Sequence, residues 1–182
     1  MTDARTDLLE RAVELAAANG LSDVSLRQMA TALGTSHRML IYHFGSKEGL
    51  LVAVINEMER RQLDAMAALG ADGSLSTAEQ VRAMWRRLAD PALWPHERLF
   101  FEVYGQALQG RPHAVRLLDT VVDSWLEPAT ASGVRRGMTT RAARADARLG
   151  LAVVRGLLLD LLATGDRRGC DAALERYLAT LS

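Results

Sequence analysis

The residues of this chain best suited to chemistry lie between Ser25 and Lys47, which reads SLRQMATALGTSHRMLIYHFGSK. Arg27, Arg38 and Lys47 are basic, His37 and His43 add ring donors, and no carboxylate falls between Asp23 and Glu48. A run of cations and hydroxyls free of acid suits a polyanion. Duplex DNA carries one phosphate charge per ~1.7 Å of axis, so a surface that enters its groove must keep carboxylates away. The charge has to be read locally, because the 182-residue chain balances 22 Lys and Arg against 22 Asp and Glu and has no net basic surface.

Other chemistries find less support. His37, His43, His96, His113 and Cys170 include no i,i+4 pair on one helix and no Cys-x-x-Cys, so no metal site is expected. Asp119 and Asp123 stand one helical turn apart, a spacing open to acid–base work, but no nucleophile or oxyanion donor accompanies them. Neither enzyme activity nor a cofactor is expected. The lone Cys170 fits a reducing compartment, and Met1–Glu10 lacks the apolar run of a secretory signal. Leu149–Leu162, the most apolar stretch, contains Arg155 and Asp160 and falls short of the ~20 residues that span a bilayer. A cytoplasmic protein without membrane contact is therefore expected.

The positioning elements are predicted to be helices throughout, about nine of them, since apolar residues recur with helical period and no stretch alternates like a strand. The first carries Leu8, Leu9, Ala12, Val13 and Ala16 on one stripe and stops before Gly20. Ser25 and Gln28 form a capping box that opens the second helix, with Val24 and Met29 at the staple positions, and Gly34-Thr35 leaves room only for a turn of the helix-turn-helix kind. A third, short helix runs from Thr35 or Ser36 to Tyr42, and Ser46 caps a long fourth helix with Leu50, Leu51, Val54, Ile55 and Met58 inward. Gly70–Ser74 reads as a linker, and Ser76 with Glu79 forms a second capping box. Pro91 and Pro95 end the fifth helix, Pro112 sits in the first turn of a seventh, and Pro128 is expected to kink or end it. The fold class is thus all-α: a three-helix helix-turn-helix domain over residues 1–48, joined through the long fourth helix to a helical bundle over 49–182.

On the third helix Thr35, Ser36, His37, Arg38 and Tyr42 are predicted to be exposed, with Met39 and Leu40 free to face the core. Small hydroxyls let a helix sit deep in a major groove about 12 Å wide, and Arg bonds guanine bidentately, so His37 and Arg38 are the expected base readers. Ser25 and Lys47 stand at helix starts, where backbone amides favour phosphate oxygens. Between them, Ser25-x-Arg27-x-Met29-Ala30, Leu33-Gly34-Thr35-Ser36 and Leu40-x-Tyr42-His43-Phe44-x-x-Lys47-x-x-Leu50-Leu51 resemble the N-terminal domain of the tetracycline-repressor-like (TetR) family over Leu8 to about Val54. The resemblance implies a dimer built on the last two helices and an inducer pocket in the larger domain, with Thr35, Ser36, His37, Arg38, Tyr42, His43 and Lys47 facing DNA. Two positions depart from the family: Ile41 stands where an aromatic is usual, and Arg38 where a small residue is.

The eighth helix, about Thr140–Ala163, carries leucines and valines on nearly its whole circumference, which calls for cover on every side. A second subunit is the natural cover, a central core position in a monomer the alternative. Leu151, Val154, Leu158 and Leu162, with Leu174, Tyr177, Leu178 and Leu181 of the last helix, are the expected dimer face. Met84, Trp85, Phe100, Tyr104 and Trp125 either line the pocket of an unidentified small-molecule inducer or are plain core. Arg141, Arg144 and Arg148 form a basic stripe that pairs with Asp171 or Glu175 across the dimer, holds an acidic ligand, or is simply hydrated. The expected function is a transcriptional regulator, by default a repressor, that binds a pseudo-palindromic double-stranded operator and is released by its ligand. The alternative is a small-molecule-binding protein or enzyme that keeps an unused helix-turn-helix.

Overall fold

The computed structural model describes residues 4–19, 24–71 and 75–181. Among them the chain forms nine α-helices and no strand: α1 (Ala4–Asn19), α2 (Leu26–Ala32), α3 (His37–Phe44), α4 (Lys47–Ala71), α5 (Thr77–Leu88), α6 (Trp94–Leu108), α7 (Asp123–Arg135), α8 (Thr140–Thr164) and α9 (Arg167–Leu178). Gly20, expected to close α1, lies outside the described residues, as do residues 72–74 of the linker. Gly70 and Ala71 are the last residues of α4. No described helix is long and apolar enough to cross a membrane.

Local chemistry starts the helices where polar side chains can satisfy the free amides of a first turn. The Gln28 amide donates to Ser25 Oγ at 3.3 Å while the Ser25 amide donates to Gln28 Oε1 at 2.9 Å, and Ser76 with Glu79 repeats the arrangement. One of the two prolines expected at the seventh helix behaves differently from the sequence expectation. Residues 111–122 form turns and a short 3-10 segment, Val115–Asp119, so Pro112 opens no α-helix. Pro128 stands inside α7 and does not end it, the helix running on to Arg135.

The helices gather into two compact units, one made of the described residues of Met1–Arg61 with Ala92–Asp119, the other of Gln62–Pro91 with Thr120–Ser182; α4 contributes residues to both. In the first unit the apolar stripes meet as their periodicity predicts: Leu8, Ala12, Val13 and Ala16 of α1, Leu50, Leu51, Val54 and Ile55 of α4, and Leu99, Phe100, Val103 and Ala107 of α6 are all buried. Each such aliphatic or aromatic side chain contributes about 1.5–3 kcal/mol by leaving water. A polar contact joins α6 to α1 inside this core, where the buried His96 ring donates from Nε2 to the Val13 carbonyl at 3.1 Å and leaves Nδ1 without a partner.

In the second unit α8 packs against both α7 and α9. Gly133 is what lets α7 approach, since a Cβ there would stand 2.8 Å from that of Ala143. A polar clamp fastens α9 to α5. The Trp85 indole donates to Asp171 Oδ1 at 2.6 Å, Arg167 Nε donates to the same oxygen at 2.7 Å, and Arg167 Nη1 reaches the Ala89 carbonyl at 2.7 Å. Burial works against the charge of Asp171, but the indole N–H and the Arg167 guanidinium overcome it and hold the carboxyl below its ordinary range.

Two outcomes test these joints. Asp171→Ala strips the buried indole of its acceptor and is expected to cost about 1–3 kcal/mol in urea unfolding, with Asp171→Asn milder; equal loss in both would show that the oxygen is not what matters. Burial also pushes the His96 imidazole below its unfolded value of 6.5, so the folded chain binds fewer protons there than the unfolded one. Its stabilising share is whole above that value and is lost as pH falls through the lowered one. Unfolding midpoints between pH 7.5 and 5 should therefore fall less steeply in His96→Gln, whose amide can still serve Val13, than in the natural protein.

Candidate nucleic-acid interface

The interface is built by the way α2 stops. Leu33 is its C-cap, Gly34 takes φ +63°, the Gly34 amide bonds the Thr31 carbonyl at 3.1 Å and the Thr35 amide bonds that of Ala30 at 2.9 Å. Such a pair of bonds closes a helix end around a left-handed residue, a conformation that glycine adopts at least cost. Two residues later Ser36, in extended conformation, caps α3 by accepting the Met39 amide at 3.2 Å. Chain direction thus reverses within Gly34-Thr35, as the sequence predicts, and α3 runs two residues further than expected, to Phe44.

Leu40 is fully buried and anchors α3. The face turned to solvent holds Ser36, His37, Arg38, Ile41 and Tyr42, the last 78% exposed, with Thr35 and His43 half-buried. Met39 belongs to this face as well: at 39% exposure it lies outside the core, against the sequence expectation, while Leu40 is buried. The Tyr42 and His43 rings meet edge-on with centroids 4.9 Å apart. Arg27 is exposed on α2 and Lys47 half-buried at the start of α4. Ser25 is exposed, but its hydroxyl is engaged with Gln28 Oε1 at 2.7 Å, so its place at a helix start matters more than its side chain. From Val24 to Lys47 this surface has no carboxylate.

One contributor was invisible from the sequence. Arg11 of α1 donates from Nη1 to the Leu33 carbonyl at 2.6 Å and pairs through Nη2 with Asp7 at 2.8 Å. The Asp7–Arg11 spacing signals an ordinary i,i+4 pair, while the bond that matters reaches a carbonyl at the turn. Being charge-assisted, it is stronger than a neutral one.

The remaining candidates are dispersed. Met84, Trp85 and Trp125 are buried in the second unit; Phe100, also buried, stacks edge-on with Phe101 and tilts toward the half-buried Tyr104 in the first. Of the expected dimer face, Leu151, Val154, Leu162, Tyr177 and Leu181 are half-buried, whereas Leu158, Leu174 and Leu178 are buried within the single chain. Those three are already covered within their own chain. Leu149 and Leu159 of α8, which the sequence reading left out of that face, are about half exposed. Of the arginine stripe, Arg144 pairs within the chain with Asp123 at 2.6 Å, while Glu175 pairs with Arg82 and Asp171 with Arg167. Cys170 is buried with its sulfur 3.8 Å from Asp160 Oδ2. No cluster of three or more His, Cys, Asp or Glu among the described residues is placed to hold a metal.

A tight glycine turn between two short helices, with an exposed acid-free second helix, defines a helix-turn-helix protein. Residues 8–54 match the family profile of bacterial regulatory proteins, tetR family. Over this N-terminal segment the chain is similar to that family, and the likeness supports a DNA-binding regulator. No curated protein matches it. Among solved structures, a TetR transcriptional regulator from Legionella pneumophila is similar over 100% of this chain and 98% of its own, at 18% identity and a TM-score of 0.73. A transcriptional regulator from Rhodococcus sp. Rha1 covers 98% of this chain and 95% of its own at 20% identity and the same TM-score. A putative transcriptional regulator from Saccharomonospora viridis, solved in complex with choline, covers 97% and 94% at 22% identity and a TM-score of 0.68.

The role of Arg11 is open to direct measurement. Arg11→Met keeps the apolar stem and removes the cap; a loss of about 1.5 kcal/mol of stability is expected, with DNA affinity lowered alike for all sequences. An unchanged melting curve would leave the Leu33 carbonyl adequately served by water.

Proposed function

We propose that the chain is a homodimeric, cytoplasmic repressor whose two copies of α3 enter successive major grooves of a pseudo-palindromic operator, about 34–36 Å apart or a multiple of that turn. The observation that carries this reading is the exposed, acid-free face of α3, capped by Ser36 and held by Leu40. In it His37 and Arg38 read base edges, while Thr35, Ser36, Tyr42, His43 and Lys47, with Ser25 and Arg27 on the α2 side, fix register on the phosphates. Residues 1–48 act as the reading head and 49–182 as the ligand-binding and dimerisation domain. Half-exposed leucines along α8, Leu149 and Leu159 foremost, support pairing with a second copy, because unpartnered apolar area of this kind is costly in water. A small molecule that fits the larger domain better in one arrangement shifts the spacing of the two heads and lowers operator affinity by its differential binding energy. The choline-bound relative supports a small-molecule effector of some kind.

A mobility-shift titration on DNA flanking the protein's own gene, run at two salt concentrations, tests the reading. Affinity should fall steeply with salt. Arg38→Ala should cost about 1–3 kcal/mol and relax preference at one position per half-site, whereas Lys47→Ala should weaken all sequences alike. Absence of any shift at low salt would favour a small-molecule protein that keeps its helix-turn-helix unused.

A further inference from the structure

A cleft of about 380 Å³ opens within the first unit, between the first turn of α4, the last turns of α6 and the loop that follows it. Its walls are Lys47, Glu48 and Leu51 on one side and Glu102, Gln106, Gln109, Arg111 and His113 on the other. This volume falls in the range of small-molecule sites, but the lining is of another kind from the usual apolar pocket. Leu51 is its sole aliphatic side chain.

The polar groups are ordered. The His113 ring donates from Nε2 to Gln106 Oε1 at 2.8 Å, and the Gln106 amide donates to Glu102 Oε1 at 3.3 Å, so one wall is a hydrogen-bonded chain. Across from it, the Glu48 carboxyl is held below its ordinary range, first by its own backbone N–H, then by the Ser46 hydroxyl and the charges of His113 and Lys47. The Arg111 side chain is exposed and has no hydrogen bond or ion pair among the described residues.

Charge balance selects the occupant. A simple anion would meet Glu48 and Glu102, and a simple cation would meet Lys47 and Arg111. A molecule with both charges on a short frame satisfies each set, its carboxylate on Arg111 and Lys47 and its ammonium on the two glutamates. We propose that this cleft binds a small polar zwitterion of the α-amino-acid class, and that the bound carboxylate competes with DNA phosphate for Lys47. The site is distinct from the apolar aromatic cluster considered for the larger domain, since none of Met84, Trp85, Phe100, Tyr104 or Trp125 lines it. Its regulatory consequence, though not its chemistry, rests on the role given to Lys47 above.

The twenty common L-amino acids, supplied one by one at millimolar concentration to the full-length protein without DNA, test the proposal by thermal shift and equilibrium dialysis. At least one polar member is expected to raise the melting temperature saturably. Arg111→Ala and Glu102→Gln, both at exposed positions, should each weaken that binding about tenfold or more while unfolding as cooperatively as the natural chain. The same amino acid should also weaken the operator shift of the natural protein and not that of Arg111→Ala. Binding by none of the twenty, binding that survives both substitutions, or equal binding of the decarboxylated amine or the N-acetylated acid would each overturn the site. Because the first readout contains no DNA, a protein that shifts its operator yet binds no amino acid refutes the cleft alone, and one that binds the amino acid but no DNA refutes the reading of α3 instead.

Discussion

The direction in which α3 points depends on a single satisfied helix end. Carbonyls at the close of a helix must be bonded to something, and here Thr31, Ala30 and Leu33 are served by the Gly34 amide, the Thr35 amide and the Arg11 guanidinium. Because the last of these belongs to α1, the turn is fixed to a third helix rather than left to its own two. Ser36 then restarts the chain with its own cap, and Leu40 pins the new helix to the core. Side chains that must meet a base edge within a few tenths of an ångström need such a rigid support.

The second unit solves a different problem. Its longest helix is richer in leucine and valine than one chain can cover, so Leu158 and Leu161 are buried while Leu149 and Leu159 remain about half exposed. Packing from α7 is made possible by Gly133, and α9 is held against α5 by charged and aromatic groups rather than by apolar area alone. The consequence is a unit whose internal contacts are polar at one edge and whose apolar surplus is left on α8.

What the sequence disclosed and what it hid divide along chain separation. Both capping boxes, the glycine turn, the Ser36 cap and the buried stripes of α1, α4 and α6 were legible, because each depends on residues within a turn or two of one another. Arg11 on Leu33, His96 on Val13 and Asp171 under Trp85 were not, since no local pattern records which distant carbonyl or indole a side chain will find. Met39 was misplaced for a related reason: adjacent apolar positions on a two-turn helix differ by about 100° in direction, and only the neighbouring helix decides which turns inward. Around Pro112 the period was too short to separate an α-helix from 3-10 turns. The mixed-charge cleft beside Lys47 drew no attention in the sequence, as its two walls are brought together only by the fold.

Cys170 carries a practical consequence. It is the single thiol of the chain, buried, and burial together with the neighbouring Asp160 charge pushes it above the ordinary thiol range. Attack by maleimides and methanethiosulfonates requires an accessible thiolate, which this residue scarcely offers. A reporter cysteine placed on any exposed helix can therefore be labelled selectively in the otherwise natural chain, opening spin-label and fluorescence measurements without a cysteine-free background.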